Sequence, residues 1–495
     1  MTTPGPVPVA LRHPDKFFIG GQWVKPSSAS VFNVTDSDSE ELFLTVPEAQ
    51  AADMDLAIGA AWKAFDEGPW PRLSHAERAE YIRAIGAGMR ARSLDFGNLS
   101  PRQSGMLFSM ASGMPYMLAD AFDYYAGLAD TFAFEEPMQA SYGGFGLLVR
   151  EPVGVVGAII PWNGPLSLMT YKIAPALIAG CTVIIKASPE SPGEAYVMAE
   201  IAEAAGLPPG VINLVTADRE VSELLVTDPR VNKITFTGST VAGKRIASLC
   251  GARIARCTLE LGGKSAAVIL DDADIPSAAG LLGSMECILT GQVCSSLTRI
   301  VVAGDRRHDE MVEALAATFA GVKVGNPFAP DSQMGPLASS RALDRVTGYV
   351  AAGSAGGAKL AFGGGRPAGL DRGWYVEPTL FGDVDNHSAI AKEEIFGPVL
   401  SVIRARDEDD AVRIANDTPY GLNASVFTAD VDHARVVAGR LQSGTVGHNT
   451  LSSDFGIGFG GFKQSGIGRE GGIEGLLPFL ESKTVVLSEA PSKYR

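Results

Sequence analysis

Between Val153 and Leu249 the chain alternates short apolar runs, rich in β-branched residues, with segments of helical period. Val153–Ile160 reads as a strand that ends at Pro161, followed by a helix over Leu166–Ala179 interrupted at Pro175. Thr182–Ile185 reads as a strand, and Glu194–Ala205 as a helix stopped by Gly206 and the Pro208-Pro209 pair. Val211–Val215, a helical turn at Glu220–Leu225, Val231–Phe236 and a helix over Val241–Leu249 complete the series. Strands this short and this apolar, each separated from the next by a helix, predict a parallel sheet covered on both faces.

The rhythm starts again at Ser265. Strands are expected at Ser265–Leu270, Ile300–Val302, Val399–Ile403, Val426–Phe427 and Thr445–Val446. Helices are expected at Ile275–Leu289, Asp309–Phe319, Arg341–Ala352, Asp407–Asn416 and Asp430–Leu441. This predicts a second α/β domain. Ahead of both series, Phe17–Val24 reads as a hairpin around Gly20-Gly21, and 52–66 as a helix with Met54, Ile58, Ala61 and Phe65 on one face. Ser74 with Glu77 three residues on forms a capping box for a helix to about Arg92. The methionines of 106–117 read as packing surface, and 130–145 as a protruding hairpin or a linker.

Charge narrows the function classes. Asp plus Glu number 56 and Lys plus Arg 41, a formal charge of −15, which opposes general binding to nucleic acid. Met1–Phe18 has no apolar leader core, and no uncharged apolar run is long enough to span a bilayer, so no membrane span is expected. The 5 cysteines (181, 250, 257, 287 and 294) are odd in number and lack CxxC spacing, which points to thiols in a reducing cytoplasm and to no metal site.

Three places in the sequence carry chemistry. Cys294 sits in GQVCSS beside small residues at an element boundary, where a ligand can reach it; the alternative is a thiol used as a small hydrophobe. The six histidines are scattered, so no Cys/His pair is indicated. Glu260, in LELGGK, is a lone acid in apolar surroundings. Buried, its pKa rises and it can act as a base; solvated, it is only the polar end of an element. TFTGST at 235–240 ends a strand and begins a helix, and free N–H groups at such a start suit phosphate. Two GxGxxG matches (Gly456, Gly458, Gly461 and Gly466, Gly468, Gly471) follow no buried strand, so they read as close backbone passages rather than a dinucleotide fingerprint.

With these segments stand PWN at 161–163, EEIFGPV at 393–399 and FGGFKQSGIGRE at 459–470. In this order, and with Glu260 and Cys294 34 positions apart, the chain resembles the aldehyde dehydrogenase superfamily from about residue 17 to 485. The resemblance implies an α/β fold: a Rossmann-type cofactor domain (1–129 and 150–262), an α/β catalytic domain (263–465), and a small β oligomerisation element with the C-terminal segment (130–149 and 466–495). Within the last, KTVVL at 483–487 is expected to form an edge strand that seeks a partner chain. It implies oxidation of an aldehyde to the acid with NAD, NADP being possible, through a cysteine thioester that water hydrolyses.

By the same resemblance Cys294 is the nucleophile, Asn163 the amide that holds the oxyanion, Glu260 the base for water, and Lys172 a proton relay near it. Cofactor contacts are implied at Ile160, Pro161, Trp162, Lys186, Ser188, Glu190, Gly238, Ser239, Gly243, Leu261, Glu394 and Phe396. Leu168, Tyr171, Val293, Ser295 and Phe459 would line the substrate tunnel, whose apolar character suggests a medium-sized apolar or aromatic aldehyde. A homodimer or homotetramer is implied. Two positions depart from the family pattern. Pro189 stands where a ribose-gripping glutamate is common, with Glu190 next to it, and Gly458 stands where many members have proline. The alternatives are an acylating enzyme that uses coenzyme A, against which Glu260 speaks, and a non-catalytic homologue, against which Cys294 speaks.

Overall fold

The protein is described by a computed structural model over residues 11–451 and 454–494. Residues 1–10, 452, 453 and 495, which fall in the three expected domains, lie outside the described residues.

Two large sheets organise the chain. The first runs in the order Gly466–Ile467, Arg256–Glu260, Lys233–Thr237, Val155–Ile159, Thr182–Ala187, Ile212–Thr216, Phe17–Ile19, Gln22–Val24. Its five inner strands are parallel and both flanks are antiparallel. The expected βα series therefore forms the expected sheet, and the hairpin turns on Gly20 and Gly21, both at positive φ. Successive strand residues face opposite layers. Val183 and Ile185 enter a core with Ile82, Phe122 and Ile173, while Ile184 enters one with Ile58, Leu225 and Ile234. Each such aliphatic side chain removed from water contributes about 1.5–3 kcal/mol.

The second sheet runs Lys359–Phe362, Thr379–Gly382, Val399–Ala405, Arg299–Ala303, Ala266–Ile269, Asn423–Phe427, Thr445–His448, parallel except at its first pair. It too separates two cores, with Val268 and Val301 in one and Ile269 and Ile300 in the other. The strand Gly466–Ile467 returns from the end of this region to pair with Leu259 and Glu260 in the first sheet, stitching the two together.

Three local expectations need correction. The strand expected at 153–160 starts later, at Val155, and ends at Ile159. Phe145–Pro152 belongs to a three-stranded sheet with Glu135–Met138 and Leu480–Leu487, and Val155–Ile159 to the first large sheet. Gly154 makes the break at φ 124, where a Cβ would stand 2.2 Å from the Asn232 side-chain oxygen. The helix Pro165–Ala179 continues through Pro175, because burial of nearly every side chain holds it in place. The helix from Ile275 stops at Cys287, short of Leu289, because the next residues turn left-handed.

Candidate active site

In an open α/β sheet, ligands gather at the carboxyl ends of the strands, where the strand order reverses. Here the reversal falls between Val155–Ile159 and Lys233–Thr237: the chain winds outward in one direction from the former and in the other from the latter. The carboxyl ends deliver Ile160 to Asn163, Lys186 to Glu190, and Gly238-Ser239 to this one edge. Ser239 caps the helix Thr240–Ala252, its hydroxyl accepting from the amide of Ala242 at 3.3 Å. Gly243 lets that helix press on Leu261: a Cβ there would meet the Leu261 side chain at 2.4 Å.

Cys294 reaches the same place from the second sheet, ahead of the strand Arg299–Ala303. The three residues Leu289, Thr290 and Gly291 all hold positive φ (48°, 55° and 69°), a costly conformation for the first two. Tertiary bonds enforce it. The Thr290 hydroxyl donates to the carbonyls of Gly335 and Pro336 (3.0 and 3.2 Å), and the buried Gln292 amide donates to the carbonyl of Ser104 at 3.1 Å. Gly291 passes so close to Gly397 and Pro398 that a Cβ would lie within 2.4–2.6 Å of their backbone. Asn163 joins the loop directly, donating from Nδ2 to the carbonyl of Gln292 at 2.9 Å.

The thiol of Cys294 is held protonated. Burial, then the carboxylates of Glu394 and Glu260, push its pKa up to about 12, against the pull of the backbone N–H groups of Cys294 and Ser295. Gly263 links the nucleophile candidate to one of these acids: a Cβ on it would stand 2.4 Å from the Cys294 carbonyl, and its amide donates to Glu394 at 3.0 Å. Glu260 is 2 % exposed, and neither of its carboxylate oxygens has a hydrogen-bond partner among the described residues. Burial and the neighbouring Glu470 carboxylate hold its pKa well above the usual carboxylate range, while Lys172 and Arg469 oppose the rise. An unpartnered buried acid with a raised pKa is suited to taking a proton near neutrality. Behind it, Lys172 donates to Glu470 at 2.6 Å and to the Thr237 hydroxyl at 2.7 Å, and Thr235 donates to the same Glu470 oxygen at 3.2 Å.

Glu394 is anchored by the amide of Gly263 at 3.0 Å, and its carbonyl accepts from Arg345. Phe396, at φ 66°, packs edge-on to Trp162 with ring centroids 5.4 Å apart. These two rings, Glu190, Ser339, Arg341 and Arg345 line a cavity of about 360 Å³. Two rings, two guanidinium groups and one carboxylate around one hollow fit a dinucleotide, which needs both flat apolar contact and charge for its pyrophosphate. Lys186 is buried; burial lowers its pKa to about 8, and Glu190 and Asp218 counter the fall. Ser188 donates its hydroxyl to Glu190. Glu190 is thus held by Ser188 and lines the hollow, although position 189 is proline.

Tyr171 packs against Phe455 at 4.7 Å and stacks on Phe459 at 6.3 Å. Leu168 is half-buried one turn earlier on the Tyr171 helix. Val293 packs with Met106, Met110, Met114 and Leu289. The carbonyl of Ser295 accepts from Asn423 at 3.2 Å. Among the described residues no three His, Cys, Asp or Glu side chains are grouped to hold a metal ion, and no helix is long and apolar enough to cross a membrane.

One family model, described as the aldehyde dehydrogenase family, matches residues 23–485 of the chain. The chain belongs to the aldehyde dehydrogenase family. It is 44% identical over 479 residues to the geranial dehydrogenase of Castellaniella defragrans, covering 95% of this chain and 98% of that one. The crystal structure of a Mycobacterium tuberculosis aldehyde dehydrogenase complexed with NAD+ is similar at TM-score 0.93 and 44% identity, over 97% and 99% of the two chains. A mutant of aldehyde dehydrogenase C from Pseudomonas syringae, complexed with NAD+ and octanal, is similar at TM-score 0.93 and 38% identity, over 98% and 99%.

Family motifs pointed to Cys294, Glu260 and Asn163 but passed over Glu470, Gln292 and Arg345. Glu470 ends the FGGFKQSGIGRE segment, and a charged residue closing a glycine-rich run was its one signal. Gln292 directs its side chain away from the cleft and acts on the loop, which no sequence pattern announces. The GxGxxG glycines have the suspected structural use: a Cβ on Gly466 would meet the Leu259 carbonyl oxygen at 2.3 Å, and one on Gly471 would meet the Tyr171 ring at 3.3 Å.

Proposed function

We propose that this chain oxidises an aldehyde to its carboxylic acid with NAD+ as hydride acceptor. One observation carries the reading: the Asn163 amide donates to the loop that carries Cys294 at 2.9 Å, while the buried Glu260 carboxylate has no hydrogen-bond partner among the described residues. Cys294 gives its proton to a solvent water, and the sulfur adds to the carbonyl carbon. The oxygen of this adduct becomes an alkoxide, for which the Asn163 amide and the Cys294 backbone N–H are the donors; one such donor is worth about 3 kcal/mol. When bound, the nicotinamide accepts the hydride of the adduct, and a thioester remains on Cys294. Glu260 takes a proton from water, the water oxygen adds to the thioester carbon, and the acid leaves as the thiolate departs. Lys172, paired with Glu470, stands behind Glu260 to pass the proton on.

Glu394 is assigned to the nicotinamide ribose, with Phe396 and Trp162 beside it. Lys186 and Glu190 are assigned to the adenosine ribose, and Gly238, Ser239 and Gly243 to the pyrophosphate at the helix start. A carboxylate at 190 binds a ribose 2′-hydroxyl and opposes a 2′-phosphate, which favours NAD over NADP. Residues 1–129 and 150–262 serve as the cofactor domain, 263–465 as the catalytic domain, and 130–149 with 466–495 as the oligomerisation element and C-terminal segment. The strand Leu480–Leu487 is an edge with Val486 70% exposed, which supports a dimer or tetramer. Its five free cysteines suit the cytoplasm. The apolar wall of Tyr171, Phe455, Phe459 and Val293 suits a medium-sized apolar or aromatic aldehyde.

The test is Cys294→Ala with an aldehyde panel and both cofactors. Loss of oxidation with retained NAD+ binding is expected; substantial turnover would remove Cys294 as nucleophile. Higher kcat/KM for short charged semialdehydes than for apolar aldehydes would overturn the tunnel assignment.

A further inference from the structure

Asn163 needs to be held, and the elements around it give it little of their own. The helix that follows, Pro165–Ala179, has glycine at its N-cap and proline at its first position, so no local side chain caps it. Helix starts leave amides without partners, and a capping side chain normally supplies the acceptor. The acceptor here comes from 28 residues away. Oε2 of Glu194 accepts from the amide of Leu166 at 2.7 Å, and Oε1 accepts from the Ser100 hydroxyl.

Glu194 is 2 % exposed and Ser100 4 %. The mount is rigid. Glu194 lies in the first turn of the helix Gly193–Ala204, whose first amide, that of Gly193, donates to Gln103 at 2.8 Å. Gly193 also sits so near Leu99 that a Cβ would stand 2.6 Å from its side chain. Burial pushes the pKa of Glu194 up to about 7, and the bonds from Ser100 and Leu166 oppose the rise. None of this is used by the reaction as described so far.

We propose that Glu194 is a positioning residue: by capping the helix that starts two residues after Asn163, it fixes the Asn163 amide where the alkoxide forms. The proposal rests on the reading of Asn163 as the oxyanion donor. Asn163 is held at one end by the carbonyl of Gln292 and at the other by the chain entering the capped helix. Without the cap, the Gly164–Leu166 turn loses the one side-chain acceptor its amides have among the described residues, and the Asn163 amide drifts from its bond. Placement errors of about an ångström cost up to about 100-fold in rate.

The test uses Glu194→Met, which fills the space and lacks an acceptor, and Glu194→Gln, which keeps one. Each is made alone and with Asn163→Ala, and two reactions are followed. These are aldehyde oxidation with NAD+ and cofactor-free hydrolysis of p-nitrophenyl acetate, which also passes through a tetrahedral oxyanion on Cys294. E194M is expected to lower kcat in both reactions by about 10-fold or more with little change in KM. E194Q is expected to restore most of kcat. In the N163A background E194M is expected to add nothing, a result that a general loss of folding would not give. Losses that multiply in the double variant would overturn the proposal while leaving Asn163 as the donor. An N163A enzyme with full activity would instead remove Asn163 from the reaction, and the proposal with it. Should E194M fail to fold, Ser100→Ala removes the other bond to the same carboxylate. A two- to five-fold fall in kcat that vanishes in N163A is then expected, roughly the worth of one hydrogen bond; no fall, or one that persists in N163A, overturns it.

Discussion

Phe459 and Glu470 are tied backbone to backbone: the amide of Phe459 donates to the carbonyl of Glu470 at 2.6 Å, and the amide of Glu470 returns the bond at 2.8 Å. A ring of the entrance wall and the carboxylate of the buried ion pair therefore share one rigid rung. Phe459→Ala removes the ring and keeps the rung; KM for bulky apolar aldehydes should rise, with kcat near that of the parent. Phe459→Pro removes the amide, and kcat should fall for every aldehyde. Steady-state kinetics with a large and a small aldehyde separate the two, and identical profiles for both variants would contradict the coupling.

Glu260→Gln keeps the shape and removes the base. Hydride leaves before water attacks, so a burst of reduced cofactor equal to the enzyme concentration should remain. The steady rate after it should fall by about 100-fold or more. Stopped-flow absorbance reads both phases, and a lost burst would place Glu260 ahead of the hydride step.

The thiol of Cys294, pushed up to about 12 by burial and by Glu394 and Glu260, has little thiolate at neutral pH. Only the thiolate is alkylated. In the cofactor-free protein, labelling by iodoacetamide should rise by about tenfold per pH unit between pH 7 and 9, without a plateau. Glu394→Gln removes a nearby negative charge and so lowers the thiol pKa, and labelling at pH 8 should quicken. Mass spectrometry of the Cys294 peptide gives the rates; a plateau near pH 8 would contradict the electrostatic picture.

Lys172 and Glu470 are 0% and 3% exposed at the side chain, 2.6 Å apart. Removing one partner leaves the other charge buried and alone. Lys172→Met should therefore cost about 3–5 kcal/mol of stability, while Lys172→Met with Glu470→Leu should cost much less. Urea melts of the two variants decide it, and equal losses would mean that the pair is not coupled.

Period and residue type made the two large sheets legible: runs such as TVIIKA, buried on both faces, admit few arrangements. What stayed hidden was decided by contacts distant in sequence. Gly154 lies between two strands, where Asn232, 78 positions on, occupies the space a side chain would need. The helix from Ile275 stops early because Gly335, Pro336 and Ser104 draw Thr290 and Gln292 into another conformation. Pro175 suggested an interruption that full burial overrides. At the site, Cys294 and Glu260 stood out through their unusual neighbours. Glu194 did not, because a glutamate in the first turn of a helix is ordinary until the amide of a second helix is found on it.

The left-handed passage through Leu289, Thr290 and Gly291 has a bearing on assembly. Its restraints come from Ser104, from Gly335 and Pro336, and from Gly397 and Pro398, so the sulfur is set only once segments spanning some 300 residues have met. Competence should then be among the last properties a renaturing chain regains. Helical content measured by circular dichroism should return first, and stoichiometric titration of Cys294 only afterwards.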